Sequence, residues 1–280
     1  MTPDRLGINT IALKFTNLPE VAAACAAAGF RVIEFHLDQI RGELKQGRAL
    51  DEVRRILADH GLRVTGGFNN QLLGLASADD IKANHRLHLD NARLLAELGG
   101  KNMTVGTDYV GWPSPKDEAD PVGRIAESLC KVAGQIRPHD VGILIEFNWG
   151  VVKTLHAAVE IVRRSGAANA GVLFDPAHLH CTPTKVEHLT AETVPFIRHV
   201  HVNNMPAKPA EYTNCNADRL LPGDPLGCYD LAAIFTRLET HGYRGDYCIE
   251  MFSDELWALS PAEAAKRMFD AMQTVFTRIP

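Results

Sequence analysis

Short apolar runs of strand type recur along the chain and alternate with segments whose apolar positions repeat every three or four residues. The strand-type runs are 6–13 (LGINTIAL), 31–37 (RVIEFHL), 62–69 (LRVTGGFN), 101–107 (KNMTVGT), 142–148 (GILIEFN), 170–178 (AGVLFDPAH), 197–204 (IRHVHVNN) and 245–252 (GDYCIEMF). Helix-type segments follow them at 17–29, 49–61, about 79–98, about 117–137, 154–166, 229–242 and 260–279, with a shorter one near 184–192. Val53, Ile56 and Leu57 mark the buried stripe of the second helix, and Leu87, Asn91, Leu94, Leu95 and Leu98 that of the third. Gly29, Gly61, the Gly99–Gly100 pair, Gly166 and Gly242 stand just past helix ends, where a left-handed residue is favoured. Ser260, Pro261 and Glu263 form a capping-box pattern.

Strict alternation of strand and helix implies a parallel sheet with helical crossovers. Eight units in 280 residues predict a (β/α)8 TIM barrel. An open doubly wound sheet would carry a glycine-rich fingerprint after the first strand, and GINTIALKFTN has none. No linker or composition break interrupts the chain, so one domain over 1–280 is expected.

In such a barrel the reactive groups gather at the C-terminal ends of the strands. Glu146, Asp175, His201 and Glu250 sit late in strands five, six, seven and eight. Alone, each has an ordinary explanation: a rim carboxylate, a turn residue before proline, a packed histidine. At one level on four adjacent strands they predict a metal site. Three carboxylates and one imidazole suit one divalent ion, Mn²⁺ first, with Mg²⁺, Co²⁺ or Zn²⁺ as alternatives. The ion would relieve the mutual repulsion of the carboxylates. His178, three residues after Asp175, is placed to overhang the pocket and touch a substrate oxygen. His199 shares the parity of His201 one layer deeper, which suits a packed or supporting role. Trp112, Trp149 and Trp257 follow strands on the same side and are candidates for stacking on a sugar ring.

Net charge is −5 without a block of Lys and Arg, which argues against nucleic acid as a partner. The six cysteines form no C-x-x-C pair, and free thiols in a reducing cytoplasm are expected. The first ten residues lack signal-peptide character and no apolar run is long enough to span a bilayer, so a cytoplasmic protein with no membrane association is expected.

The Glu–Asp–His–Glu set with DPAH (175–178) resembles the xylose-isomerase-like barrels of the sugar phosphate isomerase/epimerase superfamily. DRLLPGD (218–224), HGYRGDYCIEMF (241–252) and ELWALSPAEAA (255–265) are similar to the inosose (2-keto-myo-inositol) isomerase branch. The resemblance implies a divalent ion held by Glu146, Asp175, His201 and Glu250, proton exchange with substrate by Glu146 and Glu250, and a substrate contact from His178. Related ketose 3-epimerases carry an Arg six residues after the metal histidine; here that position is Ala207, beside Lys208. This departure argues against a ketohexose 3-epimerase, with Arg219 and Lys208 as alternative sources of positive charge toward substrate. The superfamily's DNA-repair endonucleases need further histidine ligands, which the ends of strands three and four lack.

The expected chemistry is isomerisation or epimerisation of a keto-sugar or keto-cyclitol through a cis-enediolate, with the two glutamates as acid and base. Expulsion of a β-substituent from the same intermediate would make the enzyme a lyase, such as an inosose or dehydroshikimate dehydratase or an eliminase of oxidised glycosides. The loop after strand seven is not glycine-rich, and SDELW (253–257) places two acids after strand eight. Both features disfavour a phosphorylated substrate. The loop from Met205 to Cys228 is expected to cover the site, and it is also available for contact with a second subunit in a homo-oligomer.

Overall fold

A computed structural model describes residues 3–109 and 118–279. Its strands are β1 (Leu6–Asn9), β2 (Val32–His36), β3 (Arg63–Phe68), β4 (Asn102–Thr107), β5 (Gly142–Gly150), β6 (Ala170–Phe174), β7 (Ile197–Val202) and β8 (Tyr247–Ile249). They pair in parallel in sequence order, and β8 closes on β1, giving an eight-stranded barrel. The helices are α1 (Leu18–Ala28), α2 (Leu37–Lys45), α3 (Leu50–Asp59), α4 (Ala78–Glu97), α5 (Pro121–Ile136), α6 (Leu155–Ser165), α7 (Ala177–Cys181), α8 (Leu231–Thr240), α9 (Asp254–Ala258) and α10 (Pro261–Phe276). Gly29, Gly61, Gly99, Gly166 and Gly242 take positive φ as the punctuation predicts. The Ser260 hydroxyl accepts from the Glu263 amide, and the Glu263 carboxylate accepts from the Ser260 amide.

Several boundaries differ from the sequence pattern, each for a local reason. The first strand stops at Asn9, not residue 13, because the Asn9 side chain accepts from the Ile11 amide and starts a 3-10 turn. The sixth stops at Phe174, since Asp175 Oδ1 accepts from the Ala177 amide and Pro176 offers no donor. The segment near 184–192 forms no α-helix: Thr-Pro-Thr at 182–184 breaks it, leaving α7 and a 3-10 turn at Val186–His188. The helix after β4 begins at Pro121, where Asp120 accepts from the Gly123 amide. The short helices α2 and α9 have no counterpart in the pattern, being too brief to show periodicity. The α4 face is also turned from expectation. Leu87 and Leu94 are half-buried, while Asn84, His85 and His88 are buried with Asn91 and Leu95. Those polar groups hold the 71–73 segment: the Leu73 amide donates to Asn84, and both Asn84 and His88 donate to the Gln71 carbonyl.

Strand parity divides the interior in two. Ile143, Ile145 and Phe147 of β5 belong to the continuous apolar core beneath the helices. Leu144 and Glu146, of opposite parity, face the barrel lumen, as do Val32 and Glu34 on β2. At the bottom of the lumen Gly7 leaves room that a Cβ would lack, since it would lie 2.5 Å from Cys248 Sγ. At the top, Gly150 has φ +120° and packs directly on the Thr107 carbonyl. The chain therefore fills its lumen with small and apolar groups below and ionisable groups above.

Candidate active site

Glu146 lies midway along β5, at its last pairing with β6, Asp175 and Glu250 stand one residue past β6 and β8, and His201 lies in β7. All four are buried, and one ligand atom from each falls within 4.8 Å of the others. Seen from His201 Nδ1, carboxylate oxygens of Glu250, Asp175 and Glu146 lie at 3.1, 3.8 and 3.9 Å. Both His201 Nδ1 and Asp175 Oδ2 are buried, and their polar neighbours are other charged groups of the cluster, Glu250 at 3.1 Å and Arg219 at 2.9 Å. Three carboxylates and an imidazole converging on one buried point fit a divalent cation.

The charge balance points the same way. Four buried carboxylates, Glu34, Glu146, Asp175 and Glu250, face one buried guanidinium, that of Arg219. Arg219 donates to Glu250 Oε2 at 2.6 Å and pairs with Asp175 Oδ2 at 2.9 Å. Burial opposes its charge, but Asp175 and Glu250 hold it more firmly protonated than usual. Burial also opposes the charge of those two carboxylates. Arg219 and His201 outweigh it and keep both acids below the ordinary carboxylate range. The His201 ring resists burial as a cation, yet Glu250 and Glu34 push its pKa well up. A lumen with this excess of negative charge is costly without a counter-ion.

His178 enters from α7. Its Nε2 donates to Glu146 Oε1 at 3.0 Å. Its Nδ1 lies 3.4 Å from both the Asn148 amide nitrogen and Cys215 Sγ, so Nδ1 is the acceptor and Nε2 carries the proton. Asn148 holds φ +75° within β5, a left-handed conformation that asparagine tolerates and that turns its amide toward His178.

Above the cluster is a cavity of about 430 Å³, whose walls include His36, Phe68, Trp149, Cys215 and Phe252. Phe68 meets His36 and Trp149 edge to face, giving an aromatic wall. Trp257 stands behind Phe252, with centroids 6.5 Å apart, and its Nε1 donates to the Ile11 carbonyl. Lys208 is turned to Asp218 at 2.7 Å and does not line this cavity. Trp112 lies outside the described residues.

Sequence pattern missed one carboxylate. Glu34, in the apolar run RVIEFHL, is wholly buried and accepts from His199 Nε2 at 3.2 Å, His201 Nε2 at 3.0 Å and Asn9 Nδ2 at 3.0 Å. Burial opposes its charge, but the two imidazoles hold it ionised, below the usual carboxylate range. Its signal is the one Glu146 gives, a Glu within an apolar strand, but the neighbouring strands β1 and β3 carry no carboxylate or histidine that repeats it. Asn203, which donates to Asp175 Oδ1, and Cys215 are also part of the site; asparagine and cysteine carry no such mark.

The six cysteines are free thiols, and no helix among the described residues is long and apolar enough to cross a membrane. The model of the xylose isomerase-like TIM barrel family matches residues 22–275. An inosose isomerase of Halalkalibacterium halodurans is 25% identical over 279 residues, covering 95% of this chain and 94% of that protein. A 3-dehydroshikimate dehydratase of Pseudomonas aeruginosa is 29% identical over 256 residues, covering 88% of this chain and 38% of that protein. Among solved structures, the IOLI protein with a bound zinc atom superposes with a TM-score of 0.84 at 21% identity, covering 99% of both chains. A barrel closed in sequence order, with a buried Glu–Asp–His–Glu cluster at the C-terminal ends of strands five to eight, thus joins a family match over nearly its whole length: the chain belongs to the xylose isomerase-like TIM barrel family.

Proposed function

We propose that this protein is a divalent-metal-dependent isomerase or epimerase of an unphosphorylated keto-sugar or keto-cyclitol. The observation that carries the proposal is the buried cluster of Glu146, Asp175, His201 and Glu250 beneath an aromatic-walled cavity. These four residues would hold the ion, which when bound supplies Lewis-acid polarisation of a ketone and its neighbouring hydroxyl. The zinc atom of the structurally similar IOLI protein agrees with such a site, and the inosose isomerase relatives agree with a cyclitol substrate.

The chain's own residues would divide the work. Glu250 and Glu146 reach the cluster from different strands and form the acid/base pair that removes a proton from the hydroxyl-bearing carbon next to the ketone and returns one. His178, its Nε2–H fixed by Asn148 and Cys215 on the other nitrogen, is a donor to a substrate oxygen near Glu146. Arg219 supplies fixed positive charge at Glu250. Phe68, Trp149 and Phe252 exclude water and present ring faces and edges to a sugar or cyclitol. Asp254 and Glu255 occupy the first turn of α9, where they would repel a phosphate.

A screen of inososes and free keto-sugars against Mn²⁺-loaded protein in D₂O tests this by NMR. The expected result is loss of one carbon-bound proton signal, with a product heavier only by the deuterium taken up and unchanged in mass when the reaction is run in H₂O. No exchange with any of them would overturn the proposal. The dehydratase relative supports a second reading, a lyase sharing the same proton abstraction. Loss of one water in the product mass would favour it.

A further inference from the structure

The metal site does not account for Glu34. It is a carboxylate with no exposure to solvent, at the level of β2 opposite Asn9 of β1. An isolated charge there would be expensive. Its Oε2 collects three donors, the Asn9 amide and the Nε2 atoms of His199 and His201. The Asn9 amide also reaches Glu250 Oε1 at 3.2 Å, so the layer is tied to the cluster above it.

The consequence concerns one ring. An imidazole nitrogen facing a carboxylate at 3.0 Å must carry its proton, since a lone pair there would be repelled. With Nε2 protonated toward Glu34, the Nδ1 of His201 is the atom left to face Glu250, Asp175 and Glu146. Nδ1 lies 3.1 Å from Glu250 Oε2, so by the same rule it carries a proton there; a bound ion would replace that proton while Nε2 keeps its own toward Glu34. His199 shares the Glu34 oxygen and limits its rotation. The alternative reading, Glu34 with His199 and His201 as a second ion site, is weaker. Both histidines already approach Glu34 at hydrogen-bond distance, and the His201 nitrogen it would use is the one that donates.

We infer that Glu34 is a positioning residue, which through His201 Nε2 fixes the ring's tautomer and orientation so that Nδ1 is presented as a ligand. This rests on the proposed metal centre. A carboxylate behind a ligating histidine both orients the ring and raises its basicity, and losing such a partner costs 10–100-fold in metal affinity as a rule.

Zinc titration calorimetry of the full chain, with ¹⁵N NMR of histidine side chains, tests the inference. In the zinc-loaded wild type, His201 should ligate through Nδ1 and keep a proton on Nε2. Glu34→Gln should bind zinc about 10–100-fold more weakly while its zinc-free spectrum stays dispersed. Ligation through Nε2, or wild-type zinc affinity in both Glu34→Gln and Glu34→Ala, overturns the positioning role and leaves the metal centre standing. A wild type that binds no zinc overturns both. If neither variant folds, the His201 ring assignment in the wild type decides.

Discussion

Glu250 carries the most specific expectations at the scale of single residues. His201 and Arg219 keep it ionised against the cost of burial, which is the state a general base needs. Glu250→Gln should abolish solvent-deuterium exchange into substrate while the protein stays folded; exchange surviving in that variant would sink the two-glutamate mechanism. His178 tests the donor role. Its Nε2–H is held on Glu146, so His178→Gln should lower kcat/KM by about 10²–10³-fold, the usual cost of one preorganised donor. A variant within threefold of wild type would remove His178 from the mechanism.

The elements make predictions about stability. On α4, His88 is buried, donates to the Gln71 carbonyl and has no partner at Nδ1. Burial lowers its pKa from the ordinary value to about 4. The folded state thus keeps the ring neutral where the unfolded chain takes up a proton, so its contribution is complete above about pH 6.5 and falls as pH drops toward 4. By pH 5 the loss should reach about 2 kcal/mol. Urea unfolding at pH 7.5 and 5 should show the wild type losing about 2 kcal/mol more than His88→Gln. At the end of β5, Gly150 combines φ +120° with a site where a Cβ would fall 1.5 Å from the Thr107 carbonyl oxygen. Gly150→Ala should therefore destabilise the protein by more than about 2 kcal/mol, and a smaller effect would mean that the β4–β5 rim yields more easily than its packing implies.

The whole molecule is a barrel whose floor is apolar and whose roof concentrates negative charge. Filling the proposed site should relieve that charge and bind the folded state alone. Protein stripped by chelator and reloaded should take up about one divalent ion per chain, with the melting temperature about 5–10 °C higher at saturating metal. Equal melting temperatures with and without metal would contradict the site. The overall negative charge suits an enzyme of small neutral substrates better than one that tracks a phosphate backbone.

Eight strands, the closed alternation and the four residues of the cluster were legible from residues alone. Strand parity and helix periodicity are local properties, and in this fold the ends of strands converge by construction. Glu146 was recognisable because three later strands repeated its signal. The tertiary structure alone decided the layer beneath. Glu34 meets His199 and His201 across separations of 165 and 167 residues, and no local pattern encodes that pairing. It also decided that Arg219, from an irregular loop, reaches Asp175 and Glu250, and that Lys208, from the same loop, turns to Asp218. Loop conformation follows from hydrogen bonds such as those between Asn204 and Leu220, which depend on the finished barrel. Local periodicity determined where the polar strand ends would meet; burial and long-range hydrogen bonding determined which atoms of those side chains are left free for chemistry.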